Sequence, residues 1–194
     1  MGVEYEWKYR AQPDVLAAVR AGFDLPWQTI TMQTTYFDTP DTRLKALRST
    51  LRTRLENGKC ICTLKTPEKD GGRGEWELEC EDIRRAAPIL CKLSRRDDLS
   101  FLETAKLIPT CGAEFTRLAA TVTIPGAVAE LALDQGFLCG GNRKASLCEL
   151  EVEFKSGSLE EAARFARELA LKFRLEPEHL SKFRRAADLA EGGI

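Results

Sequence analysis

Residues 51–65 read LRTRLENGKCICTLK, and the Asn57-Gly58 step near its centre constrains the fold more than any other feature of the chain. Asn-Gly between two alternating segments is the strongest short-range signal for a two-residue type I′ hairpin, because both central residues must take positive φ. Such a turn fixes the register: Glu56 opposes Lys59, Arg54 opposes Ile61, Arg52 opposes Thr63 and Thr50 opposes Lys65. Directly opposed residues share a face of the sheet. Arg52, Arg54 and Lys65 therefore stand on one side, and Leu51, Leu55, Cys60, Cys62 and Leu64 on the other.

The same division returns along the chain with the sign of the charge changed. In VEYEWKYR, Glu4, Glu6, Lys8 and Arg10 alternate with Val3, Tyr5, Trp7 and Tyr9. Glu75, Glu77 and Glu79 alternate with Trp76 and Leu78. Glu130 and Asp134 alternate with Leu131 and Leu133, and Glu149, Glu151 and Glu153 with Leu150, Val152 and Phe154. Any one of these fits a half-buried strand with its charges in water. Three glutamates at two-residue spacing, with no cation between them on their own face, strain that account. Lys plus Arg number 29 and Asp plus Glu 30, so the charge-bearing function of the chain must come from local segregation of signs. A net charge of -1 gives no global footprint of a nucleic-acid binder, and none is expected as a partner.

Strand patterns fall at 2–10, 28–38, 48–56, 59–67, 74–81, 114–124, 128–136 and 146–155. Helical patterns fall at QPDVLAAVRAG, AAPILCKLSRR, SLEEAARFARELALKF and SKFRRAADLAE, the third with capping-box spacing between Ser158 and Glu161. No repeat or linker divides the 194 residues, which points to a single α+β domain. About eight strands are enough to close a barrel whose interior holds side chains or one small ligand. Helices packed on the apolar outside would leave the charged faces in the lumen. Buried charges cost several kcal/mol each unless paired, and metal cations and an anionic ligand would offset that cost. The seven Cys form no CxxC pair, and the single His, His179, leaves little material for a zinc site or a Ser-His triad. With no apolar run that could span a bilayer and no basic-then-apolar leader, the expectation is a reduced, cytoplasmic protein without a membrane partner.

The ordered motifs resemble the CYTH family, the triphosphate tunnel metalloenzymes. They are EYEWK (ExExK), YFDTP at 36–40, LRTR at 51–54, TLKTP at 63–67, EWELE at 75–79, Arg117, LDQG at 133–136, CELEVEF at 148–154 and LSKFRRA at 180–186. The resemblance covers nearly the whole chain and is closest in pattern to bacterial inorganic triphosphatases. It implies an eight-stranded antiparallel tunnel that binds a triphosphate with Mg²⁺ or Mn²⁺. Carried over by position, Glu4, Glu6, Asp134, Glu149 and Glu151 would be metal-side carboxylates. Lys8, Arg52, Arg54, Lys65, Arg117 and Lys182 would contact the triphosphate, with Lys65 or Lys182 assisting the attacking water. Glu77 is a further tunnel carboxylate of less certain role. Arg48 departs from the small residue or glycine often found before the LRxR strand.

The residue types suit this chemistry, since hard divalent cations take oxygen ligands and Arg grips phosphate bidentately. Hydrolysis of inorganic triphosphate to pyrophosphate and phosphate is the first expectation, because Trp7 and Trp76 fall on the apolar parity and no aromatic platform for an organic group is evident. Class IV-type adenylate cyclase and thiamine triphosphatase are the enzymatic alternatives. A non-catalytic polyphosphate- or organophosphate-binding domain is the alternative of another class.

Overall fold

The computed structural model describes residues 5–67 and 73–192. Among these residues, nine antiparallel strands form one sheet. They are β1 (Glu6–Arg10), β2 (Gln28–Asp38), β3 (Thr50–Glu56), β4 (Lys59–Pro67), β5 (Arg73–Glu79), β6 (Ile108–Ile124), β7 (Ala127–Gly140), β8 (Arg143–Gly157) and β9 (Glu176–Pro177). Their order across the sheet is β5-β4-β3-β2-β6-β7-β8-β1-β9. Five helices accompany them among the described residues: α1 (Pro13–Ala21), α2 (Arg43–Ala46), α3 (Ile83–Ser94), α4 (Leu159–Phe173) and α5 (Lys182–Ala190). A 3-10 segment spans Asp97–Glu103. The antiparallel sheet wrapped by helices is the expected fold class. The ninth strand is only two residues long, and among the described residues no pairing of β5 with β1 or β9 closes the sheet into a strict barrel. The sheet curls instead, so that side chains from β5 and from β1 line one tunnel-like cavity.

The hairpin takes the register its turn dictates, with Glu56 against Lys59 and Arg52 against Thr63. Asn57 and Gly58 both hold positive φ (48° and 91°), as a type I′ turn requires. The Asn57 side chain accepts from the Thr31 N–H at 2.9 Å, tying the turn to β2. Arg48 also lies in the left-handed region, at φ 53°, so this chain makes with an arginine a bend that glycine takes more easily.

Two apolar clusters cover the convex face. Leu51, Leu64 and Trp76 pack under Ala87 and Leu90 of α3 and Leu99 of the 3-10 segment. Tyr9, Leu131, Leu150 and Val152 pack under Val19 of α1 and Ala166 and Leu169 of α4. All seven cysteines are free, and burial pushes the Cys62 thiol up to about 12 and that of Cys111 to about 11.

The third cluster lies on the other face. Met32, Tyr36, Phe115, Leu138 and Leu147 surround Ala186 of α5, which places this helix inside the curl rather than outside it. Gly140 makes room for it: a Cβ there would sit 2.5 Å from Ala186 O and 2.5 Å from Ala190 N. Both are backbone atoms, so the helix itself would have to move. Gly140→Ala is expected to destabilise the protein by about 1–3 kcal/mol, the usual range for overpacking. A thermal melt checks this, and an unchanged midpoint would mean that α5 is not seated as described.

Candidate functional site

The concave face holds a cavity of about 450 Å³. Seven cationic side chains line it, Lys8, Arg52, Arg54, Lys65, Arg73, Arg117 and Lys182, against three carboxylates, Glu6, Glu151 and Glu153, among the described residues. Strand pairing explains the segregation. Arg52 and Arg54 of β3 face the same way as Lys65 of β4, forming a basic wall. Asp134 pairs with Glu149, and Ala132 with Glu151, across β7 and β8, forming an acidic wall. Lys8 sits opposite Glu151 and Glu6 opposite Glu153.

The acidic wall is the most buried part. Asp134, Glu149 and Glu151 are 0%, 0% and 8% exposed. They offer ligand oxygens that all lie within 4.8 Å of one another. Lys182 reaches into their midst, with Nζ 2.8 Å from Asp134 Oδ2, 2.8 Å from Glu151 Oε1 and in contact with Glu149. Arg117 donates from Nε to Asp134 at 2.7 Å and from Nη2 to Asp134 at 2.7 Å and Glu151 at 2.5 Å. Arg185 pairs with the second oxygen of Glu149. Burial alone would lower the Lys182 pKa, but Glu151, Asp134 and Glu149 outweigh it and hold the ammonium well above its usual value. Burial would raise Glu151, yet Lys182 and Arg117 keep it far below the ordinary carboxylate range. Burial, reinforced by the Glu151 charge, holds Glu149 above that range despite Lys182 and Arg185.

α5 delivers Lys182 and Arg185 against its own electrostatics. Ser181 caps the helix by accepting from the Arg184 N–H at 3.1 Å, so Lys182, Arg184 and Arg185 all fall in the first turn. Cations there oppose the macrodipole by about 0.3–1 kcal/mol each. The buried carboxylates repay that.

The basic wall pairs in part with carboxylates of β3 and β5. Lys65 Nζ lies 3.2 Å and Arg52 Nη2 3.7 Å from Glu75. The Nε of Arg52 is buried without a hydrogen-bond partner among the described residues. Arg54 contacts Glu56 and lies 3.8 Å from Glu77, which also accepts from the Thr63 hydroxyl at 3.0 Å. Burial, followed by the repulsion of Arg52, lowers the Arg54 pKa. A wall of cations with an orphaned buried donor is shaped for an anion.

Most of the expected site residues converge on this cavity, but they divide differently. Arg117 and Lys182 sit among the carboxylates. Glu6 stands at the margin, 3.1 Å from Lys8, outside the carboxylate triad. Glu4 lies outside the described residues. Glu153 pairs with Lys155 at 2.9 Å. Sequence reasoning passed over Arg73, Arg185 and Glu178. Arg185 is three residues after Lys182, the spacing that puts two side chains on one helix face, and that signal was available. It also found no aromatic lining, whereas Tyr5, Tyr36, Phe115 and Phe183 border the cavity. Tyr36 of β2 and Phe183 of α5 pack with ring centroids 5.0 Å apart.

The donor set suits a hard divalent cation, which takes carboxylate oxygens. Asp134, Glu149 and Glu151 could hold one, with Lys182 giving way as the positive charge there.

The family model of the CYTH domain matches residues 2–187. The inorganic triphosphatase of Haemophilus influenzae is 28% identical over 163 residues, which are 83% of this chain and 46% of that protein. The chain thus spans about half the length of this curated relative. Among solved structures, HpAC1 of Hippeastrum, assigned as an adenylyl cyclase and described as revealing a dominant triphosphatase activity, superposes with a TM-score of 0.67 at 19% identity, covering 100% of this chain and 97% of its own. A Bacillus halodurans protein assigned as an adenylate cyclase gives 0.61 at 19% identity, covering 94% and 96%. At these identities the two structures speak for the fold alone. No helix among the described residues is long and apolar enough to cross a membrane.

Proposed function

The chain belongs to the CYTH domain family, and from that premise we propose that it is a divalent-metal-dependent hydrolase that cleaves inorganic triphosphate to pyrophosphate and phosphate. The observation that carries this reading is the lining of the cavity, seven cations to three carboxylates among the described residues, in about 450 Å³. Such an excess suits a small, fully anionic substrate. The resemblance to the Haemophilus influenzae inorganic triphosphatase agrees with it.

Arg52 and Arg54, with Lys65 beside them, bind and orient the phosphate chain, and Lys8 and Arg117 flank it. Asp134, Glu149 and Glu151, with Glu6 of β1 and with Glu4, are the residues that would hold Mg²⁺ or Mn²⁺. When bound, the cation neutralises charge on the transferred and leaving phosphates, the larger part of the work in phosphoryl transfer. An ammonium has three protons to donate, and those of Lys182 face three carboxylates. Lys182 thereby orders the carboxylates, and Lys65, on the opposite wall with Arg52 and Arg54, is the other candidate to position the attacking water. The curl of the sheet keeps the reacting chain partly shielded, which strengthens each ion pair formed there.

Parallel assays with tripolyphosphate, ATP and thiamine triphosphate test the choice of substrate. The expected result is a kcat/KM for tripolyphosphate that exceeds both others at least tenfold. Preference for either organic substrate, or formation of cyclic AMP from ATP, would replace this reading with one of its alternatives.

A further inference from the structure

Behind the carboxylate group lies a second, fully built ionic layer that the chemistry above does not use. Glu178 is 4% exposed, at the entry to α5. Its carboxylate accepts from Arg10 Nε of β1 at 2.7 Å and from the Leu180 N–H at 2.9 Å, and lies 3.6 Å from Arg185 Nη1. Its own N–H donates to the Lys8 carbonyl at 2.8 Å. One buried glutamate thus joins β1 to the start of α5. Arg185 extends the chain inward: one end of its guanidinium meets Glu178 and the other holds an oxygen of Glu149, which is wholly buried. A lysine can swing away from a carboxylate, whereas a planar guanidinium bonded to Glu149 through Nη2, with Nη1 in ion-pair range of Glu178 at 3.6 Å, holds one orientation.

We propose that Glu178 and Arg185 are positioning residues. They fix the orientation of Glu149, leaving its other oxygen turned toward Asp134 and Glu151, and so set the affinity of that group for a divalent cation. The inference rests on reading those carboxylates as the cation site. Charge and position make opposite demands here. On charge alone, removing the positive Arg185 would tighten cation binding. If Arg185 positions Glu149, its removal weakens binding.

The test is a titration of the full chain with Mn²⁺ alone, followed by the electron paramagnetic resonance signal of free Mn²⁺, with near-ultraviolet circular dichroism to confirm the fold. Arg185→Met is expected to raise the half-saturating Mn²⁺ about 10–100-fold, the range for losing an outer partner of a metal ligand, and Arg185→Lys to recover part of it. Glu178→Gln keeps the shape and the acceptor for Leu180 but loses the charge. It is expected to weaken Mn²⁺ several-fold in the wild-type background and by less than about twofold in Arg185→Met, since residues acting through one another are not additive. Tighter or unchanged binding in Arg185→Met would overturn the inference. Should that variant not fold, an unchanged Glu178→Gln would do the same, as would a wild-type chain that binds no Mn²⁺. A wild-type chain that binds Mn²⁺ but does not hydrolyse triphosphate would instead refute the proposed function alone.

Discussion

Lys182→Met is expected to lose about 3–5 kcal/mol of stability, and its kcat/KM for tripolyphosphate is expected to fall at least about 100-fold. The first loss follows from what surrounds the ammonium. Three buried carboxylates converge on it, and the fold holds its pKa well above the usual value, so its charge stabilises the native state. A group shifted in that direction contributes most below its unfolded pKa, which covers neutral pH. Without it, Arg117 and Arg185 face three carboxylates, and removing one partner of a buried ion group leaves charge without compensation. The second loss follows because those same carboxylates lose their ordering at the wall opposite Arg52 and Arg54. Mn²⁺ is expected to raise the melting temperature of Lys182→Met more than that of the wild type, since a divalent cation supplies the missing positive charge. Differential scanning fluorimetry with and without Mn²⁺ reads both effects. A variant as stable as the wild type and indifferent to Mn²⁺ would contradict the account of the acidic wall.

Arg54→Met is expected to reduce kcat/KM for tripolyphosphate about 10²–10³-fold, the range for removing one preorganised charge-stabilising donor, yet to leave the protein as stable as the wild type or more so. The sign of the stability effect is the opposite of that for Lys182. Burial and the neighbouring Arg52 lower the Arg54 pKa, so the fold disfavours its charge. A cation whose folded pKa is depressed costs stability wherever it is ionised. Its partners Glu56 and Glu77 have side chains 29% and 45% exposed, so although Glu56 Oε1 is buried against Arg54, both carboxylates keep a face open to water. An apolar side chain of similar length keeps the packing. Loss of activity together with a raised melting temperature is the signature of a residue kept for its ligand rather than for the fold. A melting temperature several degrees below wild type would assign Arg54 to the structure instead.

These two results separate the walls of one cavity, and the walls were legible in the sequence to different degrees. The basic one followed from a single turn: Asn57-Gly58 set the register of β3 on β4, and Arg52, Arg54 and Lys65 had to share a face. The alternation of Glu149 and Glu151 with Leu150 and Val152 likewise set the acidic face of β8, because side chains alternate strictly along a strand. The first six residues of β6 were missed, since Pro109 and Gly112 interrupt the pattern there. Gly112 is in fact required, as a Cβ would stand 2.5 Å from Thr34 O. The place of α5 was also hidden. Its apolar residues look like those of any helix on an outer face. The clue was in β7, where the parity that carries Glu130 and Asp134 continues as Gly136, Leu138 and Gly140, so the concave face turns from charged to apolar along one strand. Glu178 gave no periodic signal, because a buried charge in a connecting segment is recognised only through partners distant in the chain. Arg10 is 168 residues away.

The most direct test of the central claim is to incubate the wild-type chain with inorganic triphosphate, with and without Mg²⁺ or Mn²⁺, and to follow the products by phosphorus NMR. The account predicts pyrophosphate and phosphate in equal amounts, formed only when the cation is present and formed far more slowly by Arg54→Met. Tripolyphosphate that stays intact with either metal, or that is cleaved equally well by Arg54→Met, would contradict it.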